Sequence, residues 1–170
     1  MSTFWFVIHD LMSFAQHKDM IACKVSNDST PNRKKPKQPM FRKIRPGDKV
    51  VYYATGSYVI VGIFEIVSNM EFFSSNTWKN VFIYKIKPFK MPPSETHLDM
   101  KKILFDSNFK FDLFPSKSIW HTAFRGKTVR LLSQSDYEIF LRNINNEKYL
   151  ISKIDTKMPT RVWHSSKNDL

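Results

Sequence analysis

Two runs rich in β-branched and aromatic residues, Lys49–Ala54 and Tyr58–Val67, are separated only by Thr55-Gly56-Ser57. A connection this short joins antiparallel neighbours, so any fold open to the chain contains this hairpin. Arg45-Pro46-Gly47-Asp48 launches it: Pro fixes φ at the second turn position and Gly supplies the positive φ that a type II turn needs at the third. The second run is almost wholly apolar yet carries Gly62 in its interior, where strands bend or bulge, which predicts a curved, barrel-like sheet. Thr3–Ile8 is aromatic and β-branched throughout and reads as a strand buried on both faces.

Short helices punctuate these strands. Asp10 is placed to cap a helix carrying Leu11, Met12, Phe14 and Ala15. Ser133-Gln134-Ser135-Asp136 precedes Tyr137, Phe140, Leu141 and Ile144 at helical spacing, which predicts a capped helix from Gln134 to about Asn145. Val81–Pro88 reads as a further strand, Val129–Leu132 as one pairing back into the sheet, and Thr96–Phe105 as a short helix. Between Lys24 and Arg45, eight Lys and Arg face one acid, Asp28, and Pro31, Pro36 and Pro39 interrupt any ladder, so the segment reads as a long basic loop. Residues 1–145 are expected to form one domain that includes this loop, and 146–170 a basic tail. The class is α+β, a small curved sheet flanked by short helices.

Enzymatic chemistry finds little support. The single Cys23 has the character of a small buried hydrophobe rather than a nucleophile paired with His9 or His121. The four glycines never cluster into a phosphate cradle, and the five histidines show no metal-ligand spacing. No cofactor and no structural metal are expected. No apolar run approaches the ~20 residues of a membrane-spanning helix and the first residues lack the basic start of a secretory signal, so a soluble, cytoplasmic protein is expected.

The positive indication is charge combined with rings. Lys plus Arg number 27 against 15 acids, a net charge of +12, alongside 15 Phe, 6 Tyr and 4 Trp. Cations hold phosphates and aromatic faces stack on unpaired bases, so the composition points to nucleic acid, DNA or RNA. Most of the aromatic residues must fill the core. Trp5, Trp78 and Trp120 are the better stacking candidates, because Trp is seldom fully buried and presents a broad face.

Several segments together resemble the EVE domain family: Phe4-Trp5 in the first strand, Arg45–Tyr53, Ile60–Ile66, and Trp120, Phe124, Gly126-Lys127 and Arg130–Leu132 before the capped helix. The likeness spans about Thr3 to Ile144. It implies a PUA-like fold, a small β-barrel flanked by short helices, whose superfamily typically takes one nucleobase, often modified, into a pocket. Carried onto this chain, the resemblance gives Trp5, His9, Asp10, Trp120 and His121 as pocket residues, and Tyr53 is expected beside them. Family members place a Trp-Gly-Val-like segment after the first helix; here Met20-Ile21-Ala22-Cys23-Lys24-Val25 stands instead. The expected phosphate contacts are Arg33, Lys34, Lys35, Lys37, Arg42, Lys43, Arg45, Arg125 and Lys127. The expected function is thus a nucleic-acid-binding module with a basic surface and an aromatic base pocket. The alternative is an enzyme or sensor for a small, anionic, nucleotide-like ligand in the same pocket.

Overall fold

A computed structural model describes residues 1–152. In chain order the elements are β1 (Phe4–Asp10), α1 (Leu11–Gln16), β2 (Met20–Lys24), β3 (Lys49–Thr55), β4 (Val59–Ile66), β5 (Glu71–Phe73), β6 (Val81–Lys90), β7 (Thr96–Asp99), α2 (Met100–Leu104), β8 (Val129–Leu132), α3 (Gln134–Asn143) and β9 (Leu150–Ser152). The strands form one mixed sheet in the order β2-β6-β4-β3-β1-β8, with β5 beside β6, and β7 between β4 and β9. The sheet curls into a half-barrel, so the α+β class and the PUA-like architecture hold.

The expected hairpin is β3 and β4, antiparallel from Lys49↔Glu65 to Ala54↔Val59. Its register shifts between Tyr52, opposite Gly62, and Tyr53, opposite Ile60, which places a bulge beside the interior glycine. The preceding turn has Gly47 at φ +92°, the conformation that only glycine adopts without strain. Strand β1 lies parallel to β3 over seven registered pairs, Phe4↔Lys49 to Asp10↔Thr55, and is buried on both faces. Its alternation divides the core. Phe6 and Ile8 pack with Tyr53, Trp120 and α3, whereas Trp5 and Val7 pack with Tyr52, Phe64 and β2 on the other side.

Asp48 fixes the start of this parallel pair. Its side chain is 4% exposed and accepts hydrogen bonds from Thr3 N (3.0 Å), Trp5 Nε1 (2.8 Å) and Arg45 N (2.9 Å), joining the first strand, the turn and the second strand at one carboxylate. At the other end of β1, Asp10 caps α1 as expected, accepting from Ser13 N at 2.6 Å.

The basic segment and its flanks are more ordered than expected. Met20–Lys24 is a strand, antiparallel to β6, with Ile21 and Cys23 turned into the core. Beyond it the chain makes a narrow hairpin with bridges Val25↔Pro36 and Thr30↔Arg33, followed by a 3-10 turn, Pro39–Lys43. Pro36 does not break the pairing, because the neighbouring groups carry the bonds: Ser26 N donates to Lys35 O at 2.8 Å and Lys37 N to Lys24 O at 2.7 Å. The helix expected over Thr96–Phe105 splits into β7 and α2, since Thr96–Leu98 pair with β9. Residues 147–152, expected in the tail, belong to the fold. Tyr149 is buried, its hydroxyl donating to Asp106 Oδ2 at 2.7 Å, and Leu150–Ser152 form β9; residues 153–170 lie outside the described residues.

Among the described residues, no backbone ladder joins β2 to β1 and close the sheet on itself. Side chains bridge the seam instead. His9 Nε2 accepts from Ala22 N at 3.1 Å; Gln38 Oε1 accepts from Thr128 N and Val129 N, both at 3.0 Å, and its Nε2 donates to Gly126 O at 3.0 Å. Burial lowers the His9 pKa from the ordinary 6.5 to about 4, opposed by the neighbouring Asp10, so the ring is neutral at physiological pH and keeps the lone pair that Ala22 uses.

Asp48→Ala strands three donors, two of them on the first turn of the parallel ladder. It is expected to cost at least ~2–3 kcal/mol in urea unfolding. His9 binds its proton more readily in the unfolded chain, so its contribution is complete above pH 6.5 and is lost progressively as pH falls toward about 4. His9→Gln retains an acceptor without titrating. Urea midpoints of the variant are expected to change less than those of the parent between neutral pH and about pH 5.

Candidate functional site

Two clefts lie around the end of β1, the first of them at the seam. The first, about 750 Å³, is walled by Ile8, His9 and Asp10 from β1, Ala22 and Lys24 from β2, Lys37 and Gln38, the 77–81 loop with Trp78 and Lys79, and Gly126-Lys127-Thr128. The second, about 700 Å³, is lined by Asp10, Tyr53, Thr55, Gly56, Tyr58, Lys101, Trp120, His121, Phe124 and Arg125. Asp10, Thr55 and Phe124 belong to both, so the two clefts adjoin across a shared rim, and together they are termed the groove.

Charge is distributed unevenly over this groove. Lys24, Lys37, Lys79, Lys101, Arg125 and Lys127 line it and are all exposed, whereas Asp10 is its one carboxylate among the described residues. The acids that do form ion pairs, such as Glu65 with Lys49 and Lys87, or Asp106 with Lys148, lie elsewhere. None of the six groove cations joins an ion pair among the described residues; Lys101 instead stands 4.1 Å over the Tyr58 ring. Asp10 is partly engaged: besides Ser13 N its carboxylate accepts from Ser13 Oγ at 3.0 Å. Six uncompensated cations about a concavity attract phosphates.

The aromatic residues expected at the pocket are not all together. Tyr53, Trp120 and His121 reach the second cleft, and Asp10 reaches both. Trp5 does not reach either. It is 2% exposed in the opposite half of the core, with its indole N–H committed to Asp48, because strand alternation turns Trp5 away from the face that Ile8 shares with Tyr53. Trp120 is a wall rather than a free platform. At 6% exposure it is packed edge to face against Tyr53, Tyr58, Phe114 and Phe124, with centroids 5.6 to 6.4 Å away. The ring that stands half-exposed at this cleft is Tyr58, held in the left-handed conformation at φ 57° in the β3–β4 turn. Its signal in the sequence was its place directly after Thr55-Gly56-Ser57. His9 borders the first cleft as a neutral ring already bonded to Ala22.

Of the expected phosphate contacts, Lys37, Arg125 and Lys127 line the groove. Arg33, Lys34, Lys35, Arg42, Lys43 and Arg45 line neither cleft, because the hairpin and 3-10 turn carry them away from the seam. Lys34 sits 4.2 Å over Phe72, and Arg45 donates to Arg42 O and Ile44 O at 2.7 and 3.0 Å. Lys24, Lys79 and Lys101, which the composition did not single out as contacts, line the clefts as well. Cys23 is 2% exposed on the inner face of β2, and burial pushes its thiol up, away from the thiolate form. Among the described residues no group of three or more His, Cys, Asp or Glu side chains is arranged to hold a metal ion, and no helix is long and apolar enough to cross a membrane.

Comparison with solved structures finds the same fold at low sequence identity. Rpa0253 of Rhodopseudomonas palustris matches with a TM-score of 0.51 at 15% identity over 82% of this chain and 91% of its own. A hypothetical protein from Leishmania major gives a TM-score of 0.53 at 15% identity, covering 84% of this chain and 94% of its own. A Pseudomonas putida protein gives 0.51 at 8% identity over 82% and 97%. A search of curated proteins finds no match. The EVE domain profile matches residues 16–141, from the end of α1 through most of α3. The chain therefore belongs to the EVE domain family, part of a PUA-like superfamily often linked to nucleic-acid binding.

Proposed function

We propose that this chain is a nucleic-acid-binding module that holds phosphates along the seam groove and admits one base, which can be a modified one, to the second cleft. The single observation that carries the reading is the combination found there: uncompensated Lys101 and Arg125 at the mouth of a concavity walled by Tyr53, Tyr58, Trp120 and Phe124. Phosphate contacts supply affinity without sequence choice, and a base stacked on an aromatic ring returns ~1–3 kcal/mol, comparable with the few kcal/mol needed to unstack it. Tyr58 is the stacking surface in this reading, a base taking the place of Lys101 over the ring as that lysine turns to a phosphate, with Trp120 edge-on beside it. Asp10 and His121 border the same space and are the groups that meet the polar edge of the base.

Binding rather than turnover fits the groups present. A nucleophile and an adjacent general base would be needed for covalent catalysis, and the one thiol is buried with a raised pKa. His9, the histidine nearest Asp10, spends its lone pair on Ala22.

Fluorescence anisotropy with labelled single-stranded DNA and RNA tests the proposal. Tyr58→Asn removes the ring while suiting the left-handed backbone. It is expected to weaken binding by ~1–3 kcal/mol and to leave the salt dependence intact. Arg125→Ala with Lys127→Ala is expected to reduce the slope of log affinity against log salt by about 1.4, at ~0.7 for each phosphate contact on a single strand. No binding to either nucleic acid at low salt, or binding indifferent to all three changes, would refute the proposal.

A further inference from the structure

The first cleft carries a stacking surface of its own. Trp78 is half-buried and lines it, with the indole stacked on His17 at 4.4 Å and 26° and tilted against His9 at 5.4 Å. Its loop is anchored to α1 and the turn that follows. Ser75 Oγ accepts from Trp78 N at 3.0 Å and lies 3.2 Å from His17 Nε2, and Thr77 Oγ1 hydrogen-bonds to Gln16. The side chain packs against the small cluster of Met20, Ala22, Val81 and Ile83. The indole is thus fixed before any ligand arrives, which reduces the ordering cost of stacking on it. Lys24 and Lys79 are exposed around it, and neither is in an ion pair among the described residues.

We infer that the groove has two stacking stations, Tyr58 in the second cleft and Trp78 in the first, and that its ligand is a single-stranded nucleic acid spanning both. This rests on the proposal above and extends it from one base to a chain. The geometry favours a strand because Asp10, Thr55 and Phe124 line both clefts, so a polymer leaving one meets the other directly across that shared rim. Each half supplies cations for the backbone and a ring for a base. Asp10, standing where the halves meet, repels the phosphates there and steers them toward the two cationic sides. A duplex keeps its base faces stacked inside the helix and offers nothing to either ring.

The full chain is titrated with fluorescein-labelled adenosine monophosphate and with a labelled single-stranded hexadeoxyadenylate, and an unlabelled duplex of the same length competes. Trp78→Ala is expected to weaken hexanucleotide binding roughly tenfold and to leave the mononucleotide unchanged, while Trp78→Phe, which keeps a ring, restores most of the affinity. Lys24→Glu with Lys79→Glu touches only exposed side chains and gives the same selective loss, so the test stands even where Trp78→Ala destabilises the fold. Tyr58→Asn weakens both probes. Should Trp78→Ala and the charge pair bind the hexanucleotide like the parent while Tyr58→Asn does not, the second station is overturned and the single base pocket stands. Should Tyr58→Asn bind both probes like the parent while Trp78→Ala loses both, the base pocket at Tyr58 is overturned and the two-station groove with it. Equal competition by the duplex overturns the single-stranded ligand.

Discussion

The parallel pairing of β1 with β3 is the constraint on which the molecule depends. Paired residues of these strands lie 45 positions apart in sequence, as in Phe4↔Lys49, and their pairing closes the loop that holds α1, β2 and the basic hairpin. Nothing local enforces such a contact, and the chain entropy of closing it is substantial. Carboxylates hold both ends. Asp48 collects three donors at the start of the ladder, two from the first residues of the chain at β1 and one from its own turn, and Asp10 stops β1 at its end by turning the chain into α1. The first therefore determines the register, and with it which residues of β1 face which half of the core. The second places a negative charge where the two clefts meet.

A sheet that curls without a closing ladder must satisfy the groups along its gap in some other way. Here His9 and Gln38 do so, each using a side chain against the main chain of a distant element. Side chains span a wider interval than a ladder does, and the separation they maintain becomes the first cleft. The site is in this sense a by-product of incomplete closure: a fully closed barrel would have filled the same volume with core residues.

Local signals were legible in the sequence and long-range ones were not. The type II turn at Gly47, the hairpin that follows, the Asp10 and Ser133 caps and the two-sided burial of β1 each rest on residues within a few positions of one another. Strands β2, β5, β7 and β9 are short, and their identity comes from partners: Met20–Lys24 becomes a strand because β6 is there, not because of its own alternation. The site divides the same way. Trp5 and Tyr53 are both aromatic strand residues, but the register pairs Trp5 with Val50 and Ile8 with Tyr53, so the two rings lie on opposite faces. No reading of either strand alone contains that information. The run of cations from Arg33 to Arg45 is conspicuous by composition, yet only Lys37 of it lines the groove, where the fold gathers it with Lys24, Lys79, Lys101, Arg125 and Lys127 from distant positions.

The narrow neck of the basic hairpin has a further consequence. Because Lys37 N reaches Lys24 O, the chain enters and leaves the hairpin at adjacent points, and Gln38 just beyond fastens the exit strand to residues 126–129. Everything between is an appendage mounted on a closed base. Val25 and the buried Pro36 at its neck belong to the wall of the first cleft and the core, but the tip from Ser26 to Lys35 lines neither cleft, so its length and sequence can change without altering the groove.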